Sequence, residues 1–206
     1  MEERFDHKPI GEHDWHSSPY VDQWISRDVT HDDERRPLLR KMLSQAPFAK
    51  DDAIKVLDVG AGYGVVSEEV LKVFPNAHVT LQDYSEPMFE HARRRLGRNN
   101  PQISYVQADL CNPAWADMVA GPFDMVVSGL AIHNLRERSL MKTCYRAIQS
   151  LLRPGGILLD YDLFGLIADG VAMHSEWLRE AGFERTEAIW REAPLAIIVA
   201  WKQTDH

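Results

Sequence analysis

The sequence predicts an α/β protein, a doubly wound sheet of seven strands that is mostly parallel and ends in an antiparallel hairpin. Two observations carry this. From about residue 54, short aliphatic and β-branched runs alternate with longer amphipathic stretches, the pattern of a parallel sheet covered by helices on both faces. The last two runs, FERTEAIWRE and LAIIVAWK, are separated only by Ala193-Pro194, too short for a helical crossover, so they must pair antiparallel.

In order, the strands are IKVLDVG, AHVTLQD, ISYVQAD, FDMVVSG and GILLDYD, followed by the two runs of the hairpin. Helical patterns lie at roughly 64–74, 86–97, 136–152 and 171–181, the third with Leu140, Cys144, Ala147, Ile148 and Leu151 on one face. Asn99-Asn100-Pro101 ends the second helix and Arg153-Pro154-Gly155-Gly156 the third, because proline cannot continue a helix and glycine accepts a left-handed cap. Residues 1–50 carry no strand pattern. There, Thr30 followed by Asp33 marks a helix start, Leu38, Leu39, Met42 and Leu43 form its inner stripe, and a shorter helix covers Pro19 to Arg27.

With 206 residues, 45% of them hydrophobic, the chain can bury the core of one domain. A net charge of −8 and a pI near 5.6 disfavour a nucleic-acid partner, which needs a basic field. The one dense basic stretch, Arg93-Arg94-Arg95 with Arg98, reads as the solvated face of a helix. Cys111 and Cys144 lack CxxC spacing, which indicates neither zinc nor a disulfide framework and fits a reducing compartment. The acidic, polar start is unlike a signal peptide, and apolar runs such as Leu195 to Trp201 are too short to cross a bilayer. A cytoplasmic protein with no membrane partner is expected. His7, His13 and His16 lie where no strand or helix fixes their geometry, so no metal site is expected.

The central motif is Val56-Leu57-Asp58-Val59-Gly60-Ala61-Gly62-Tyr63-Gly64, a strand running into a glycine-rich turn and then a helix. Glycine is needed where backbone turns sharply against a ligand, since a Cβ would fill that space. A dinucleotide fingerprint would place its third small residue at 65, which is Val65, so the third glycine comes one residue early. Two further acids, Asp83 and Asp109, end the second and third strands, Asp83 lying 19 residues after Gly64. Those strand ends form the ligand crevice of an open α/β sheet.

This spacing, with Asp58 two residues before Gly60, resembles the first motif of class I S-adenosylmethionine-dependent methyltransferases of the small-molecule type. The closing hairpin is also similar to the methyltransferase variety of the Rossmann-like fold, whereas dinucleotide dehydrogenases usually finish with a sixth parallel strand. The resemblance covers about residues 54–162 by motif and the rest by topology only. It implies an N-terminal helical lid or cap over 1–50 and an S-adenosylmethionine-binding methyltransferase body over 51–206, together one structural domain. It further implies that Asp58, Gly60, Ala61, Gly62 and Gly64 face the methionine end of the cofactor and that Asp83 accepts both ribose hydroxyls. Tyr84 and Met88 would flank the adenine, and Ala108, Asp109 and Leu110 would form the motif whose carboxylate accepts from the adenine amino group. Ser128, Gly129 and Leu130 belong to the family's fourth motif and the segment following it.

Methyl transfer from a sulfonium is an in-line displacement, and a general base is needed only when the nucleophile starts protonated. His133, just after the fourth strand, is the candidate base; packing beside the cofactor is the alternative. Trp15, Tyr20 and Trp24 form a candidate lid over cofactor and acceptor, or pack on the body of the domain. Asp160, Tyr161 and Asp162 end the fifth strand toward the acceptor space, Asp160 being equally readable as structural. Only Phe164 to Gly170 follows that strand before the next helix. The acceptor site is then open, built from residues 1–30, or completed by a second copy in a homodimer. The expected activity is transfer of methyl to the O, N or S atom of a small molecule, yielding S-adenosylhomocysteine. A regulatory protein that binds the cofactor without transfer is the alternative.

Overall fold

The computed structural model describes residues 13–98, 100–164 and 170–204. Helix α1 (Ser18–Asp28) begins at Ser17, whose hydroxyl accepts from the Tyr20 amide, with Pro19 in the first turn, where its missing N–H leaves no bond unmade. A 3-10 turn, Val29–His31, leads into α2 (Asp32–Leu43). Thr30 does not start this helix, contrary to expectation: its hydroxyl donates to the Arg27 carbonyl and closes the end of α1. The acids of the first turn of α2, Asp32, Asp33 and Glu34, complement the helix dipole in its place. Leu39, Met42 and Leu43 are fully buried, so the expected stripe does face the core.

The body then runs β1 (Lys55–Val59), α3 (Val65–Val73), β2 (His78–Asp83), α4 (Glu86–Leu96) and β3 (Ile103–Gln107). It continues through β4 (Phe123–Gly129), α5 (Arg138–Leu151), β5 (Leu152–Leu163), α6 (Gly170–Glu180), β6 (Phe183–Glu192) and β7 (Leu195–Lys202). The strands form one sheet in the order β3-β2-β1-β4-β5-β7-β6. Strands β1 to β5 are parallel, and β7 inserts antiparallel between β5 and β6, so the closing hairpin is present with its first strand at the edge. Two boundaries differ from expectation. Helix α4 stops at Leu96 because Gly97, at φ +88°, leaves the helical region before Asn100-Pro101 is reached; Asn99 lies outside the described residues. Arg153 to Gly156 is no free-standing turn but an irregularity inside β5, where pairing jumps from Phe123–Leu152 to Met125–Ile157 and Gly155 takes φ +73°.

One face of the sheet packs Leu159, Tyr161 and Ile197 against α1 to α4; the other packs Leu158, Ile198 and Phe183 against α5 and α6. The N-terminal helices are fastened to the body by ion pairs as well. Arg35 holds Asp28 with two bonds of 2.9 Å, and the Tyr63 hydroxyl lies 2.8 Å from both Asp28 and Asp32. Glu69 on α3, fully buried, meets Arg36, Arg40 and Lys72. The basic run on α4 is largely spent in the same way: Arg95 bonds Asp32 at 2.8 Å and Glu68 at 3.0 Å, while Arg93 pairs with Glu86 and Glu90 over the Tyr105 ring. Among the described residues, no helix is long and apolar enough to cross a membrane.

Candidate functional site

The strand order reverses between β1 and β4, and the loops after the carboxyl ends of β1 to β5 frame a crevice there. The turn after β1 needs its glycines individually. Gly60, at φ +64°, lies so close to Ala131 that a Cβ would sit 2.3 Å from the alanine Cβ. Gly62, at φ +53°, would carry its Cβ into open space, with nothing among the described residues within 4 Å. Gly64, at φ +82°, starts α3. So Gly60 is demanded by the protein's own packing, whereas at Gly62 the bare backbone faces open space.

Three contacts hold this turn. The Gly62 N–H donates to Asp83 Oδ2 at 2.7 Å, the Ala61 N–H to the Gln82 carbonyl at 2.9 Å, and the Gly60 N–H to Gln82 Oε1 at 3.1 Å. Gln82, buried, also donates from Nε2 to the Ala108 carbonyl at 2.7 Å, joining the first loop to the third. Nothing in its spacing marked this residue, because its role exists only across two strands.

Asp58 is wholly buried; Oδ2 accepts from the Ser67 hydroxyl at 2.6 Å and, among the described residues, Oδ1 has no partner. Burial pushes its carboxyl up to about 7. Asp83 is also raised, by burial first, against the opposing pull of the Ser85, Gly62 and Tyr84 backbone N–H groups. Tyr84 is 41% exposed, its ring 4.2 Å from that of His16. Met88 is buried in the core. Ser85, not Asp83, caps α4: its hydroxyl accepts from the Met88 N–H and donates to the Trp15 carbonyl. On the third loop Ala108 is buried, Leu110 half-buried, and Asp109 exposed, accepting from the Cys111 N–H at 2.8 Å.

After β4, Ser128 is buried with its hydroxyl on the Val59 carbonyl, and a Cβ on Gly129 would come within 2.6 Å of Val66. Leu130 takes φ +56°, a strained value for a leucine, and its N–H donates to the Tyr161 carbonyl at 2.8 Å. That link brings β5 beside the turn holding His133. The His133 N–H donates to Asp162 Oδ2 at 3.0 Å and its Nδ1 lies 2.5 Å from Asp162 Oδ1, while Asp162 itself is buried. Among the described residues Nε2 bonds nothing, so with the proton on Nδ1 the lone pair of Nε2 is available.

The N-terminal segment crosses above. His13 stacks on Trp15 at 5.0 Å and bonds the Tyr20 hydroxyl; Trp15 also meets Tyr20 and Trp24 edge-on, and Trp24 meets Tyr63. Trp15, Tyr20 and Trp24 are half-buried against the sheet face that holds Tyr161. Burial, with smaller contributions from Arg136 and His133, holds His13 below its usual value. His7 lies outside the described residues, and among those described no three or more metal-binding side chains are arranged to hold an ion.

Residues 56–156 match the family described as a methyltransferase domain. The chain is 34% identical over 126 residues to a trans-aconitate 2-methyltransferase of Azoarcus sp. (strain BH72), covering 61% of this chain and 45% of that protein. It is 29% identical over 117 residues to a malonyl-[acyl-carrier protein] O-methyltransferase of Halalkalibacterium halodurans, covering 57% and 41%. The chain thus spans less than half the length of these relatives. Among solved structures it resembles an O-methyltransferase family protein from Burkholderia thailandensis, with TM-score 0.73 at 14% identity, covering 93% of this chain and 62% of that one. It also resembles PigF with SAH, with TM-score 0.68 at 15% identity, covering 91% and 60%. The matched residues hold β1 to β4, the loops that follow them and the start of β5, and together with the seven-stranded fold they support a class I S-adenosylmethionine-dependent methyltransferase.

Proposed function

We propose that the protein transfers the methyl group of S-adenosylmethionine to an O, N or S nucleophile on a small molecule. The observation that carries this reading is the open space at Gly62, whose N–H is held by Asp83, together with a buried Asp58 oxygen that has no hydrogen-bond partner among the described residues. A bare bend suits the close approach of a ligand, and an orphaned buried oxygen suits a ligand's ammonium group. When bound, the cofactor supplies a sulfonium methyl carbon open to in-line attack. Gly60, Ala61, Gly62 and Gly64 shape the cradle for its amino-acid end, Asp58 receives the ammonium, and Asp83 receives the ribose hydroxyls. Tyr84 lies along the adenine with Met88 beneath from the core, Ala108, Asp109 and Leu110 meet the adenine edge, and Ser128, Gly129 and Leu130 form the crevice floor.

His133 takes the proton from a protonated acceptor at Nε2, while Asp162 holds the ring and stabilises the imidazolium that results. Trp15, Tyr20, Trp24 and Tyr161 line the acceptor side and exclude water from the sulfonium. The relatives named above act on trans-aconitate and on malonyl-[acyl-carrier protein], and another is a ribosomal RNA small subunit methyltransferase C of Haemophilus influenzae. The net charge of −8 and the pairing of Arg93 and Arg95 favour a small molecule over RNA, and a cytoplasmic setting accords with two free cysteines. Calorimetric titration with S-adenosylmethionine and S-adenosylhomocysteine, followed by turnover on a panel of phenols, amines, thiols and carboxylates, tests the reading. Saturable binding with turnover is expected; binding without turnover on any acceptor would favour a regulatory protein, and no binding would overturn both.

A further inference from the structure

Behind His133 lies a second carboxyl that the reaction does not use directly. Asp160 and Asp162 are two residues apart on β5 and so share one face, turned toward α5 and α6; both are buried. Their surroundings are unequal. Asp162 receives three donors: the His133 N–H, His133 Nδ1, and the Leu163 N–H at 2.8 Å. Among the described residues Asp160 has one contact, Oδ2 to the Tyr145 hydroxyl at 3.3 Å, and its Oδ1 has no partner. Two buried carboxyls this close cannot both ionise cheaply, and the negative charge goes to the one with three donors.

The Tyr145 hydroxyl has one proton and two partners, Asp160 Oδ2 and His174 Nδ1, the latter at 2.8 Å. His174 is enclosed by the rings of Phe164, Trp177 and Tyr145, and burial pushes it down to about 4, so it is neutral. Were Asp160 ionised, its bond from Tyr145 would be charge-assisted and of the order of 2.5–2.7 Å. The 3.3 Å contact is not that short bond; the Tyr145–His174 bond is the shorter one, and with the His174 proton on Nε2 it takes the Tyr145 proton, which leaves the Tyr145 oxygen to accept from the Asp160 carboxyl O–H. Among the described residues, the remaining ionisable group against them, Cys144 on α5, is a buried thiol whose protonation is pushed up by burial.

Resting on the reading of His133 as the base, we infer that Asp160 is a proton-bearing carboxyl. Its hydrogen-bonded string through Tyr145 and His174 ties the end of β5 to α5 and α6 and leaves the pair's single negative charge on Asp162. Asp160, Tyr145 and His174 are positioning residues for the His133–Asp162 couple.

Infrared difference spectra of the full chain at pH 8, each variant subtracted from wild type so that carboxyls common to both cancel, test this without any acceptor. The wild type should show the carbonyl stretch of a protonated carboxyl, lost in Asp160→Asn and kept in Asp162→Asn. A wild type lacking the band, or an Asp160→Asn protein retaining it, would overturn the inference. In turnover, Asp160→Ala should lower kcat about tenfold with S-adenosylhomocysteine affinity held within about twofold, by loosening the couple. Asp160→Asn should recover most of that loss, because an amide N–H replaces the carboxyl O–H toward Tyr145. Equal loss in both variants would show that a charge was needed at 160 and would also overturn it. If His133→Ala turns over like wild type while the infrared band behaves as expected, the base assignment falls and the protonation of Asp160 stands.

Discussion

Asp58→Asn separates the stability of the empty protein from the proposed use of its crevice. The carboxyl is fully buried, one oxygen is held by Ser67, the other is unpartnered, and burial pushes its protonation up to about 7. Each pH unit between the ordinary 3.8 and about 7 corresponds to roughly 1.4 kcal/mol, so ionised Asp58 opposes folding by something on the order of 4 kcal/mol. Because the folded value is the higher one, the folded state holds the proton more tightly. This stabilisation is complete below the unfolded value near 3.8 and is lost as pH rises through about 7. The asparagine keeps an acceptor for Ser67 and never carries the charge. Urea unfolding from pH 4 to pH 8 should therefore show a wild-type stability that falls relative to the variant across this range, the variant being the more stable by a few kcal/mol at pH 8. Calorimetry should show the variant binding S-adenosylhomocysteine about tenfold or more weakly, because the ammonium has lost its counter-charge. Parallel stability curves would refute the burial argument. A stabilised variant with unchanged affinity would remove Asp58 from the cofactor site.

Gly62→Ala and Gly60→Ala should diverge. The first places a methyl in open space and should lower thermal stability only by about 1 kcal/mol, from its positive φ, while abolishing cofactor uptake. The second drives a methyl to 2.3 Å from Ala131 and should destabilise the fold by about 2 kcal/mol or more, read by the same thermal melt. Asp83→Ala should weaken S-adenosylhomocysteine binding by roughly 1–3 kcal/mol in calorimetry, since it strands the Gly62 N–H as well as the ribose hydroxyls. Glu69→Ala, which leaves Arg36, Arg40 and Lys72 without their shared buried acid, should lower urea stability by about 3 kcal/mol. His133→Ala should cut kcat on a protonated acceptor by about a hundredfold at saturating cofactor, with affinity for S-adenosylhomocysteine little changed.

Features governed by local backbone chemistry were legible along the chain. The glycine spacing, the acids closing β1 and β2, the amphipathic face of α5 and the two-residue link of the hairpin each depend on near neighbours. Boundaries misread there are ones where two signals competed: Thr30 bonds backward to Arg27 instead of capping forward, and Gly97 ends α4 before Pro101 can. The basic run lies on α4 as expected, but it is not simply a solvated face: Arg93 pairs with Glu86, and Arg95 reaches Asp32 from 63 residues away, a matter of packing.

By itself, then, the sequence determined the alternating strands and helices, the closing hairpin and the side-chain-free bend, because periodicity and steric freedom act over a few residues. Only the tertiary structure decided which acid meets which partner. Asp162 lies 29 positions from His133 and Gln82 bridges two loops, and no spacing along one strand encodes a contact made across the sheet. The same holds for the inequality between Asp160 and Asp162, two like residues one pleat apart: the protonation of each follows from the donors that folding delivers to it.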